Sequence, residues 1–193
     1  MCKTFWQGLI SAFSVFCMFC LPSLAQDAPR LELFGSYSYV RYDSPTLGFK
    51  DFTGLNGGNI GFTYNLTTRF GVVGEIGGAW GSPFKFYDGL AGPRYTFRRG
   101  KISLFGQGLF GKAKTHVEIP SAINQGLSSS AFAFAGSGGV DYSVTNHFSI
   151  RAIQVDYIRS KAFELDQGNL RFSVGLIYHI GQVKRHKRPQ LTP

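Results

Sequence analysis

Polar and apolar side chains alternate along the last strand-like segment of the chain. Over the eleven residues 170–180 every even-numbered position is apolar, whereas Arg171, Ser173, Gly175 and His179 occupy most odd positions. Successive side chains of a β-strand point to opposite faces, so the pattern predicts a strand with one continuous apolar face. The wall of a membrane barrel is built from such strands, between hydrocarbon and a polar interior.

Seven other segments of similar length precede this one, separated by polar residues, and none beyond residue 28 has helical periodicity. A tilted strand needs about 9–11 residues to cross a membrane, which is near the length of each segment. The sequence therefore predicts an all-β fold, an eight-stranded antiparallel up-and-down transmembrane barrel. The predicted strands are 31–42, 55–66, 69–81, 88–98, 101–115, 130–144, 147–158 and 169–180.

The connections between these segments alternate in length. Short turns are predicted at 67–68, 99–100 and 145–146, and longer loops at 43–54, 82–87, 116–129 and 159–168. Outer-membrane barrels have short turns on the periplasmic rim and long loops outside. The pattern thus predicts the orientation of the chain in an outer membrane.

A tyrosine precedes each of the three short turns at a similar position. Amphipathic rings favour the boundary between membrane and water, so these tyrosines predict an aromatic belt on the periplasmic side. The predicted interfacial aromatics, which include one in the last strand, are Tyr64, Tyr95, Tyr142 and Tyr178.

The seventh segment does not keep a single phase. Arg151 has one parity, but Gln154 and Asp156 have the other. A β-bulge inserts one extra residue into a strand and so restores the phase beyond it. We therefore predict a bulge near Ala152 and Ile153 that turns all three polar side chains inward.

The N-terminus has the composition of a secretory leader. A short basic start is followed by an apolar stretch, and Ser23 and Ala25 supply the small residues of a cleavage site. We predict a signal peptide over 1–25. All three cysteines, Cys2, Cys17 and Cys20, fall within it, which excludes disulfides from the mature chain.

The remaining residues fit one domain, predicted over 26–181, followed by a basic periplasmic tail over 182–193. The whole chain has 20 Lys and Arg against 11 Asp and Glu. One lysine is in the leader and four cations are in the tail, so the high positive charge is mostly a tail property and gives little support for nucleic-acid binding. The tail itself favours a solvated, disordered end, with attraction to anionic lipid or cell wall as the alternative.

The passage 138–151 and the strand 169–180 resemble the small eight-stranded outer-membrane barrels related to the transmembrane domain of OmpA. The resemblance covers essentially the whole mature chain. It implies contact with outer-membrane lipids and with the barrel-assembly machinery, which reads an aromatic residue near the end of the closing strand. Here that strand offers Tyr178, followed by Ile180 and thirteen further residues.

Charged residues are expected on the inward face. The lumen of an eight-stranded barrel is only wide enough for side chains, so interior charges must pair with one another. This favours structural filling over the alternative of a narrow ion path. The predicted interior charge network is Arg69, Glu75, Arg94, Asp141, Arg151, Asp156 and Arg171.

Two motifs invite an enzymatic interpretation. His147 and Ser149 share one strand face, as in the His-x-Ser pair of outer-membrane lipid A deacylases, but no oriented third group is near in the sequence. The GxGxxG at 106–111 lacks the helix that a nucleotide site needs, and it lies in the fifth segment, where Phe105 and Leu109 interrupt the polar face. The histidines are isolated, so no metal, cofactor or catalytic site is predicted.

The sequence thus predicts a non-enzymatic, monomeric outer-membrane barrel with a structural or surface-interaction role. Three alternatives stay open: a small ion-conducting pore, a lipid-modifying outer-membrane enzyme, and a secreted soluble barrel of lipocalin type. The last would have its apolar face inward and its charges outward, the reverse of the expected arrangement.

Overall fold

The computed structural model describes residues 28–44, 51–117, 127–162 and 165–183. Within these ranges eight antiparallel strands form a closed barrel in which each strand pairs with its neighbours along the chain and the last pairs with the first. The described residues include no helix long and apolar enough to span a membrane. The strands are β1 (Pro29–Tyr42), β2 (Thr53–Asn65), β3 (Phe70–Gly81), β4 (Phe84–Arg99), β5 (Ile102–Val117), β6 (Leu127–Ser143), β7 (Phe148–Ala162) and β8 (Leu165–Gln182).

The eight predicted strands are confirmed, and most extend further toward the rim with the long loops than the sequence indicated. The predicted loops at 82–87 and 159–168 are wrong, because β4 begins at Phe84 directly after β3 ends at Gly81, and β7 runs to Ala162 while β8 begins at Leu165. Phe84 and Phe86 point into the barrel while Lys85 and Tyr87 point away from it, so this stretch alternates like the strand that it continues.

The bulge in β7 is confirmed. The pairing of β6 with β7 shifts between Val140 and Asp141, and the pairing of β7 with β8 shifts between Arg151 and Gln154. Ala152 and Ile153 both point outward between buried Arg151 and buried Gln154, so the strand contains one extra residue. The interior phase of β7 is therefore preserved on both sides of the irregularity.

The outward face of the barrel is apolar and the inward face is largely polar. Large apolar side chains are exposed on every strand, among them Ile60, Ile76, Phe132 and Leu176. A wall of this polarity is suited to a hydrocarbon surrounding. The soluble lipocalin-type alternative fails on this point, because its apolar face would line the interior.

The four tyrosines predicted at the interface all lie on the outward face near the short-turn rim. Tyr95 packs on Phe70 and Tyr178 packs on Phe148, with both pairs of ring centroids 5.0 Å apart. The Tyr64 hydroxyl accepts a hydrogen bond from Arg30 Nε at 2.9 Å. Their role as a membrane-boundary belt stays a prediction. The predicted leader 1–25 and the tail beyond 183 lie outside the described residues.

Candidate functional site

The interior of the barrel is the candidate site, and it is organised in three layers. An aromatic layer lies at the long-loop end, where Tyr42 of β1 packs on Phe84 and Phe86 of β4 with ring centroids 5.1 Å and 5.9 Å apart. The Tyr42 hydroxyl donates to Gln167 Oε1 of β8 at 2.9 Å and lies 3.0 Å from Thr115 Oγ1 of β5. Because β1 and β5 are on opposite sides of an eight-stranded barrel, these contacts reach across the lumen.

Below this layer, one guanidinium group binds three carboxylates. Arg171 Nε donates to Asp156 Oδ2 at 2.7 Å, and its Nη1 donates to both oxygens of Asp88 at 3.0 Å. The Nη2 of the same residue donates to Glu75 Oε1. All four side chains are buried. This upper cluster, Glu75, Asp88, Asp156 and Arg171, joins four strands through one arginine.

The lower cluster lies nearer the short-turn rim and comprises Glu32, Arg94, Arg98, Asp141 and Arg151. Asp141 accepts from Arg151 Nε and from Arg94 Nη2, each at 2.9 Å. Glu32 accepts from Arg98 Nη2 at 2.8 Å. Hydrogen bonds to ionised groups are shorter and stronger than neutral ones, so these bonds stabilise a fixed arrangement of the charges.

Gln154 connects the two clusters. Its Oε1 accepts from Arg151 Nη1 at 2.7 Å, and its Nε2 donates to Asp156 Oδ1 at 2.7 Å. A neutral amide can donate and accept at once, so it links the arginine of one cluster to a carboxylate of the other. The result is a continuous polar network along most of the lumen.

Phe105 is an apolar side chain inside this polar region, and the structure explains it. The Cζ atoms of Arg94 and Arg151 lie 3.8 Å and 4.7 Å from the centroid of its ring. Arg151 also lies 4.6 Å from the ring centroid of Phe34. The inward phenylalanines thus accept cation–π contacts from the buried arginines. The alternation of residues in β5 does not predict these contacts.

Six of the seven predicted interior charges lie in this network, and Arg69 does not. Arg69 is exposed in the turn just before β3. Alternation predicts an inward Arg69 only if the third strand begins at that residue, but β3 begins at Phe70 and strand phase does not govern a turn residue. The remaining six are Glu75, Arg94, Asp141, Arg151, Asp156 and Arg171.

Three network residues were not predicted. Glu32 lies at an inward position of β1 between two outward leucines, a signal that was present in the sequence. Asp88 was hidden because the strand was predicted to begin at that residue, and Arg98 because it lies at the opposite strand end. Alternation therefore does not identify interior residues reliably at the ends of strands.

The lumen opens toward the short-turn rim into a cavity of about 1070 Å³. Its wall includes Glu32, Arg94, Arg98, Asp141 and His179. The lower cluster is thus accessible from one end of the barrel, whereas the aromatic layer lies across the other end.

The structure places the residues of the two motifs in a turn and within strands. His147 is exposed in the turn before β7, while the buried Ser149 Oγ donates to Ser143 Oγ at 3.2 Å. The GxGxxG lies wholly within β5. In the part of the chain that the structure describes, no group of three or more His, Cys, Asp or Glu side chains has a geometry that could hold a metal ion.

Comparison with known proteins agrees with this architecture. A family model described as the outer membrane protein beta-barrel domain matches residues 11–179. The crystal structure of Neisserial surface protein A is similar with a TM-score of 0.63 and 12% identity over 81% of this chain and 100% of that one. The N-terminal β-barrel domain of Pseudomonas aeruginosa OprF gives a TM-score of 0.50 and 18% identity over 79% of this chain and 99% of that one. Among curated proteins none matches the sequence.

Proposed function

The chain belongs to the outer membrane protein β-barrel domain family, and its place is the cell outer membrane; from this premise we propose that it is a closed, non-conducting barrel whose surface loops carry its function. The observation that carries the proposal is the aromatic layer of Tyr42, Phe84 and Phe86, each fully buried. Together with Thr115 and Gln167 these side chains occupy the lumen at the long-loop end, where an ion path would have to open.

The charge network supports the same function. An ion crossing the lumen would have to displace Arg171 from three carboxylates and Arg151 from Asp141. Breaking one buried pair typically costs about 3–5 kcal/mol, so spontaneous opening is rare. A rigid interior also gives the outer loops a fixed support, and loops on such a scaffold are where recognition most often lies. The longest predicted loop, 116–129, is our candidate for surface interaction.

The proposal is tested by conductance in a planar bilayer, with insertion verified by the gel-mobility shift on boiling. We expect no channels from the native chain. A variant with Phe84→Ala and Phe86→Ala removes two rings of the layer but leaves the charge network in place, so it should show at most rare and brief openings. The outward Phe132→Ala is the matched control and should stay silent. Regular channels from the native protein, with an ion selectivity that changes in Asp156→Asn, would establish the pore alternative instead.

We further propose that the protein is not an enzyme. The exposure of His147 and the bond between Ser149 and Ser143 support this, since neither side chain has the partner that a catalytic pair requires. Incubation of the folded barrel with acyl-labelled lipid A should release no label. Release that is abolished in His147→Ala and Ser149→Ala would contradict the proposal.

The expected partners are proposals as well: outer-membrane lipids, the barrel-assembly machinery, and anionic lipid or cell wall for the tail 182–193. We propose a monomer, because the closed sheet has no free edge through which a second copy could pair. Sedimentation in detergent at several protein concentrations should give one species of constant size.

A further inference from the structure

Basic side chains are concentrated on the outward face of one part of the barrel. On β5, Lys112, Lys114 and His116 alternate with buried Ala113 and Thr115, so all three point away from the lumen. Arg159 and Lys161 have the same outward orientation on β7. These five residues, Lys112, Lys114, His116, Arg159 and Lys161, form what we call the outer basic patch.

The patch lies at the height of the outer headgroups. On β5 the outward side chains from Ile102 up to Phe110 are apolar or glycine, and Lys112 is the first charge above them. Ten residues of a strand tilted by ~40° rise about 26 Å, which is close to the ~25 Å height of the apolar band of such barrels. Lys112 thus lies at the upper limit of the hydrocarbon, and Lys114 and His116 lie above it.

Aromatic side chains at the same level support this assignment. Lys114 pairs across the sheet with Tyr87 of β4. The Tyr87 hydroxyl accepts a hydrogen bond from Trp80 Nε1 at 2.9 Å. Tryptophan and tyrosine are enriched where a membrane meets water, so the pair places the boundary beside Lys114.

Beside and below Lys112 lies an apolar surface of phenylalanine rings. Phe110 pairs with Phe134, and Lys112 pairs with Phe132. The exposed fraction is 55% for Phe110, 50% for Phe134 and 64% for Phe132. A ligand that fits both surfaces has anionic groups above and acyl chains below.

On the outward face of the described strands, little negative charge accompanies the patch. Among the strand residues that the structure describes, Asp166 is the single carboxylate on the outward face, and it pairs with Arg159 at 3.4 Å. We propose that Lys112 and Lys114, supported by the rest of the outer basic patch, bind the phosphate groups of a phosphorylated glycolipid in the outer leaflet. The proposal rests on the outer-membrane location and does not depend on whether the lumen conducts.

Native mass spectrometry of the detergent-folded barrel, titrated with diphosphorylated lipid A, tests this directly. Each cation near an anionic surface contributes about fivefold to affinity, so Lys112→Gln with Lys114→Gln should lower lipid A affinity at least tenfold. The matched control is Arg99→Gln with Lys101→Gln, the same charge change at the opposite rim, and it should stay within twofold of the native chain. Dephosphorylated lipid A should bind the native chain and the patch variant with equally low affinity.

Equal losses in the two double variants would overturn the proposal, because they would show a general attraction between charges. Unchanged binding in a folded patch variant would also overturn it, as would preferential binding of a soluble sulfated saccharide such as heparin. If the double patch variant does not fold, the single substitutions Lys112→Gln and Lys114→Gln decide, each with an expected loss of about fivefold. If the barrel neither conducts ions nor binds lipid A, the lipid proposal fails while the proposal of a closed lumen still stands.

Discussion

Replacing Arg171 by methionine is the most direct test of the interior network. The side chain is 1% exposed and is the only cation in contact with Glu75, Asp88 and Asp156 within the described structure. Methionine retains most of the aliphatic length but leaves three buried carboxylates without their shared partner. We expect Arg171→Met to be the most destabilising single substitution of a charged residue in the barrel.

The expected magnitude follows from the burial. Removing one member of a buried pair typically costs about 3–5 kcal/mol, because it leaves an uncompensated charge in a medium of low polarity. With a urea dependence of about 2 kcal/mol per molar, the unfolding midpoint should fall by roughly 1.5–2.5 M. Arg159→Met removes the same group from the exposed pair with Asp166 and is the matched control. Its expected loss in the free energy of unfolding is about 0–1 kcal/mol.

The measurement is urea unfolding of the barrel in lipid vesicles, followed by tryptophan fluorescence. Trp80 is the one tryptophan outside the predicted leader and lies on the outward face, so its emission reports transfer from lipid to water. Adding Glu75→Gln, Asp88→Asn and Asp156→Asn to the methionine variant should restore part of the lost stability. Equal midpoints for Arg171→Met and Arg159→Met would refute the reasoning, since the buried cluster would then contribute no more than a surface pair.

Three further predictions test other features of the interior. Phe105→Leu removes two cation–π contacts while keeping an apolar side chain, and it should lower the free energy of unfolding by about 1–3 kcal/mol in the same titration. Deleting Ala152 removes the bulge without changing which side chains point inward and should leave a heat-modifiable barrel. Deleting Val73 from the regularly paired β3 reverses the phase beyond it and should abolish the mobility shift. Gly111→Ala would place a Cβ 2.0 Å from a carbonyl oxygen of the neighbouring strand and should impair folding, while Gly136→Ala, with nothing within 4 Å, should fold normally.

Alternation along the strands was sufficient to predict the number of strands, their order and the polarity of the two faces. It succeeded because hydrocarbon outside and paired charges inside impose one phase on each strand. It even located the bulge at Ala152 and Ile153, because Arg151 and Gln154 could not both be inward without one.

Alternation does not predict the orientation of residues that lie in turns or at the ends of strands. Arg69 lies in a turn, and Asp88 lies beside a stretch that Pro83 made resemble a loop. The contacts across the lumen were also beyond sequence reasoning, because they depend on which strands are opposite one another and at what height. Phase indicates that Phe105 points inward, but only the closed barrel brings Arg94 and Arg151 to its ring.

The bulge in β7 explains why the interior forms one network and not two. Arg151 belongs to the lower cluster, while Gln154 bonds to Asp156 of the upper cluster. In a regular strand residues 151 and 154 point to opposite faces, so one of the two would be in contact with lipid. The bulge turns both inward and brings Arg151 Nη1 within 2.7 Å of Gln154 Oε1.

The upper cluster has three carboxylates for one arginine and the lower has three arginines for two carboxylates. Joining clusters of opposite excess charge is electrostatically favourable, and this gives the local irregularity a physical reason to persist.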